Sequence, residues 1–171
     1  VCVAGIPVRA DRRWFVVLAL MTAVTAASIN AQVRNWAASI GLGAATTLIF
    51  FLSIFLHELA HAIIARLERL EVVEIVLHPF GGLTRFAREP QTPRAEFRIA
   101  IAGPVASFAL AVMFVLLMAL ANTGELDVLR DLLFLLALAN FLLAVFNLLP
   151  GYPLDGGRLL RAYLWRSGRD L

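Results

Sequence analysis

The sequence predicts an all-α polytopic membrane protein of about four transmembrane helices, with a short β-hairpin or small sheet between helices two and three. Three observations predict it. The 171 residues are 61% hydrophobic with a mean hydropathy of +0.84, far above a water-soluble domain. The apolar residues fall in blocks long enough to cross a hydrocarbon core of about 30 Å, which takes about 20 helical residues. Between the second and third blocks the composition changes. Val72-Val73-Glu74-Ile75-Val76 is rich in β-branched residues, and His78-Pro79-Phe80-Gly81-Gly82 has turn chemistry, in a stretch too short to span.

Taken in order, residues 1–10 alternate in β fashion around Gly5 and Pro7 and read as an extended, interfacial segment. Asp11-Arg12-Arg13 flanks the first span, about 14–33. Its second half (Thr22, Thr25, Ser28, Asn30, Gln32) is polar enough for a face packed on protein. After a short Arg34-Asn35-Trp36 loop, the second span covers about 37–67, with Gly41, Gly43, Ala44 and Ala45 as a small-residue packing face. The hairpin occupies 71–86 and a polar connector 87–93. A third helix starts near Arg94, its spanning part about 99–121, where Gly103-Pro104 imposes either a kink or a late helix start. Asn122-Thr123-Gly124-Glu125 makes a turn. The fourth span, about 126–148, stops before Pro150 and Pro153. Asp155, ahead of Gly156-Gly157, is placed to cap a last, arginine-rich helix reaching about Arg166. Residues 1–171 are expected to form one membrane domain.

The net charge is +3, and all fifteen basic residues are arginine. They are spread between apolar blocks rather than clustered with aromatics, which argues for lipid headgroups and against nucleic acid. Thirteen of them flank the N-terminus, the hairpin region or the C-terminal segment; only Arg34 and Arg130 fall on the other side. The positive-inside rule therefore puts both termini and the hairpin in the cytoplasm, in a multi-pass protein of the cell membrane. Cys2 is the one cysteine, so no internal disulfide forms.

The chemistry centres on His57-Glu58-Leu59-Ala60-His61. On a helix the two histidines stand one turn apart on one face, and the glutamate beside the first can touch a metal-bound water without being a ligand. A charged group at the centre of a membrane helix costs about 2.5–3.5 kcal/mol on insertion scales, so three ionisable groups in five positions point to a function. That function is zinc binding with Glu58 as general base. A catalytic zinc needs a third protein ligand. Asp155 follows the fourth span on the same side, although as a plain cap it would need no metal. Glu68, Glu71 and Glu74 follow the motif too closely. His78 is a weaker candidate, and Glu96 would have to serve in a peptidase that used a glutamate.

His57-Glu58-Leu59-Ala60-His61 together with Asn147-Leu148-Leu149-Pro150-Gly151-Tyr152-Pro153-Leu154-Asp155-Gly156-Gly157 resembles the site-2 protease family of intramembrane metalloproteases. The likeness extends to Gly5-Ile6-Pro7-Val8, Pro79-Phe80-Gly81-Gly82 and Ala102-Gly103-Pro104. Ser107 departs from it, where many members carry asparagine, and the departure bears on packing of the third helix more than on chemistry. The resemblance implies one Zn2+ per chain, held by His57, His61 and Asp155, with Glu58 as the catalytic acid-base. Asn147 would hold the substrate backbone or the transition-state oxygen, and Phe80, Gly81 and Gly82 would offer an edge strand to an unwinding substrate helix. Substrates would be single-pass membrane proteins such as anti-sigma factors or membrane-tethered regulators. Members of this compact type often carry CBS domains after the last helices. A catalytically silent scaffold of the same fold is the alternative, against which the intact Glu58 argues. A zinc transporter would need a relay of ligands across the membrane.

Overall fold

The computed structural model describes residues 2–3, 5–78, 81–121 and 127–168, with the backbone alone at 3, 10, 78 and 81. The elements are β1 (Cys2–Val3), β2 (Ile6–Ala10), α1 (Trp14–Val33), α2 (Trp36–Leu67), β3 (Val72–His78), β4 (Gly81–Phe86), α3 (Pro93–Leu120), α4 (Asp127–Asn147) and α5 (Asp155–Arg166). Helices α1 to α4 are each long and apolar enough to cross a membrane. Many of their large apolar side chains point outward, Phe15 at 73% and Leu120 at 79% exposure, as lipid-facing residues do. The expected Asn122–Glu125 turn and Phe80 lie outside the described residues.

Local chemistry sets the helix ends. Asn35 caps α2, its side chain accepting from the Ala38 amide at 3.2 Å, and Thr92 caps α3 in the same way through Ala95. Pro93 at the first helical position fits without losing a bond. The third helix neither starts late nor stops at Gly103-Pro104, and Pro104 lies inside it. Of the small residues expected to pack α2, Gly43 does so: a Cβ there would lie 2.8 Å from the Thr22 carbonyl of α1, whereas at Gly41 nothing comes within 4 Å.

The hairpin joins a larger sheet. Strand order is β1-β2-β3-β4, with β2 parallel to β3 (Val8 opposite Ile75) and β3 antiparallel to β4 (Leu77 opposite Gly82). The extended N-terminal segment thus pairs with the strand that follows α2, placing both on one side of the four spans. Arg9 and Arg85 both pair with Glu74, and Arg98 with Glu68 at 2.8 Å, tying α3 to the end of α2. Two of the three acidic residues that follow the histidine motif are therefore ion-paired partners of arginine, and Glu71 is exposed. Ile6, Ile75 and Ile99, each almost fully buried, seat the sheet on α2 and α3 in the main core.

Candidate metal centre

His57 and His61 leave α2 on one face and meet Asp155, the first residue of α5. Their Nε2 atoms are 3.2 Å apart, and Asp155 Oδ2 lies 3.2 Å from the first and 3.1 Å from the second. All three side chains are buried. The remaining ring nitrogens are held from α3. His57 Nδ1 is 2.8 Å from Ser107 Oγ, and His61 Nδ1 donates to the Ile99 carbonyl at 2.7 Å. A carbonyl can only accept, so His61 carries a proton on Nδ1, and in the neutral imidazole a bare Nε2 faces the centre. Two acceptors, that nitrogen and a carboxylate oxygen, then face each other at 3.1 Å. They repel unless a positive charge lies between them, a metal ion or a second proton on the imidazole.

A tetrahedral zinc with bonds of about 2.0–2.1 Å spaces its donors about 3.3 Å apart, close to the observed triangle. Two neutral imidazoles and one carboxylate, each held by a neighbour, form a donor set suited to zinc. Asp155 does not cap α5: Leu154 is the cap residue and makes no side-chain bond. Burial pushes the Asp155 carboxyl up, but the two imidazoles beside it draw it further down, to about 2, so it is an anion at neutral pH.

Glu58 is buried and, with His61 and Asp155, lines a cleft of about 490 Å3 on the sheet side. Thr84 of β4 donates its hydroxyl to Glu58 Oε2 at 2.8 Å. Gly82 lies so close to Glu58 that a Cβ there would be 2.0 Å from its Cγ. Asn147 lines the same cleft, with one amide proton given to the Leu143 carbonyl at 2.8 Å. Of the expected edge-strand residues, Gly81 and Gly82 are in β4 and Phe80 lies outside the described residues, as does the side chain of His78.

The sequence profile of Peptidase family M50 matches residues 45–126 and 118–171. The chain belongs to peptidase family M50. It is 42% identical, over 98% of its length, to the zinc metalloprotease Rip3 of Mycobacterium tuberculosis. It is 37% identical, over 95%, to a zinc metalloprotease of Synechocystis, sll0528. The alignments cover 44% and 42% of those proteins, so the chain spans less than half the length of these curated relatives. Among solved structures it matches the site-2 protease from Methanocaldococcus jannaschii with a TM-score of 0.69 and 28% identity, over 97% of this chain and 70% of that one. The resemblance read from the two motifs is thus one of family and of fold.

Set in this M50 fold, three contributors stand outside the His57–His61 and Asn147–Gly157 motifs. Thr84 holds the glutamate. Gly103 leaves room for the imidazoles, since a Cβ there would lie 2.2 Å from His61 Nε2 and 2.5 Å from His57 Nε2. Ser107, read from sequence as a packing residue, orients His57 instead. The four-residue step from Gly103 to Ser107 was a usable signal, because it puts both on one helix face. Nothing local marked Thr84. Glu96, the alternative ligand, is not part of the centre: its buried carboxylate accepts from Arg161 Nε at 2.8 Å.

Proposed function

We propose that this chain is the catalytic core of an intramembrane zinc metalloprotease, hydrolysing a peptide bond within or near the transmembrane segment of single-pass membrane proteins. The observation that carries the reading is the triangle of His57, His61 and Asp155 donors at 3.1–3.2 Å, with Glu58 beside it in an open cleft. One zinc ion per chain, bound there, would polarise the scissile carbonyl and acidify a water from a pKa of about 15.7 toward about 7. Glu58 accepts the proton of the attacking water on its carboxylate and delivers it to the leaving amine. Thr84 fixes the direction in which that carboxylate points. Asn147, on the cleft wall, binds the substrate backbone.

A transmembrane substrate must unwind before it can be cut, because its peptide groups are closed in their own hydrogen bonds. Strand β4 pairs only with β3 in the described sheet, and Leu83, Thr84 and Phe86 line the cleft. An unwound segment that adds to this edge regains its lost bonds next to Glu58. The arginine distribution supports a cell-membrane protein with termini, sheet and cleft on the cytoplasmic side. Anti-sigma factors and membrane-tethered regulators are the substrate class to test first.

The test compares wild type with Glu58→Gln on candidate single-pass substrates in reconstituted membranes. The variant should keep its zinc and lose cleavage. Equal cleavage by the variant would remove Glu58 from its role, and no cleavage by either would favour a silent scaffold.

A further inference from the structure

One face of α3 organises the centre. Positions 96, 99, 103 and 107 follow at steps of three and four, which on a helix form a single stripe. The Ile99 carbonyl holds His61, Gly103 admits both imidazoles, and Ser107 holds His57. The fourth member, Glu96, is 1% exposed and touches neither histidine. Its Oε1 accepts both Nε and an Nη of Arg161 on α5, while the other Nη lies 3.3 Å from Glu89 Oε2 on the connector.

Helix α5 begins with Asp155 and is reached through the irregular 148–154 segment. Among the elements, α5 packs chiefly on α3. Where Asp155 sits relative to the histidines therefore depends on how α5 is registered on α3. Apolar side chains would bind the two helices as tightly but would let α5 slide, whereas a guanidinium fork on a buried carboxylate fixes both distance and direction. We infer that Glu96 and Arg161 are a positioning pair, which holds the third metal ligand opposite the two imidazoles. The inference rests on the metal reading given under Proposed function. The hydrogen bond to Glu96 also holds the Arg161 guanidinium charged more firmly than usual.

The test loads purified wild type, Glu96→Gln and Asp155→Ala with zinc, and in parallel with cobalt(II), whose visible spectrum reports its donors. Glu96→Gln keeps the shape and an acceptor but removes the buried charge, so the hold on Arg161 is weakened. Zinc affinity, measured against a chelator, should fall about 10–100-fold in Glu96→Gln, the cost typical of disturbing a partner behind a ligand. The cobalt spectrum should move toward that of Asp155→Ala, and the metal-free variant should still unfold cooperatively. A wild-type spectrum in Glu96→Gln overturns the inference, whether or not affinity falls, because Asp155 would then be in place without the pair. If Glu96→Gln does not fold, Arg161→Lys, which keeps the charge and loses the fork, decides: a shifted spectrum supports the pair and an unchanged one overturns it. A wild-type chain that takes up neither metal removes the metal reading, and this inference with it.

Discussion

Glu58 and Thr84 show how one hydroxyl can orient a buried carboxylate. The glutamate lines the cleft, and its Oε2 accepts at 2.8 Å from the Thr84 hydroxyl, which also lies 3.1 Å from the Glu58 carbonyl. Removing a hydrogen bond to a charged group costs about 1.5–3 kcal/mol. Thr84→Val should therefore slow turnover by about tenfold or more, since each 1.4 kcal/mol is a factor of ten, with zinc content unchanged. Thr84→Ser should recover most of the rate. Equal rates for Val and Thr would show that β4 does not aim the base. Glu58→Gln is the harsher change, and general-base catalysis of about 10²–10⁴-fold is lost with it. At this scale the two histidines and the glutamate were readable from their spacing, and Asp155 from its matching motif. Thr84 was not, because a threonine in a strand is common and its role exists only where the strand meets α2.

At the level of elements, α3 is a template more than a span. Its stripe supplies a carbonyl, a gap and a hydroxyl to residues of α2, all without a recognisable metal-ligand pattern. The gap yields a matched pair of predictions. Gly103→Ala should lower bound zinc sharply, because the new Cβ falls 2.2 Å from His61 Nε2, while Gly41→Ala, with nothing within 4 Å, should leave zinc and folding as they are. Metal analysis of the two purified variants checks both, and full zinc in Gly103→Ala would mean that the imidazoles can withdraw from α3. Helix lengths followed directly from hydropathy, since a run of apolar residues needs no partner to be recognised. The pairing of β2 with β3 did not. Alternation marks a strand, but which strand it joins is decided by packing on α2 and α3 across a long sequence separation.

Across the whole molecule, the sheet ties the segment before α1 to the segment after α2, and Arg161 ties α5 to the start of α3. The arginine-rich parts therefore share one side of four apolar helices, with the cleft among them. If that side is cytoplasmic, Cys2 is a built-in reporter, being the one cysteine in the chain and exposed in β1. A membrane-impermeant thiol reagent should label it in inverted vesicles and leave it untouched from the outer face of intact cells. Labelling from outside would reverse the orientation drawn from the positive-inside rule. What would join the molecule's two halves is the proposed metal centre, to which α2 brings two donors and α5, beyond α4, brings the third. That claim is most directly tested by the zinc content of purified wild type beside Asp155→Ala. One zinc per wild-type chain and a marked loss in the variant is the expected result; equal zinc in the two would contradict it.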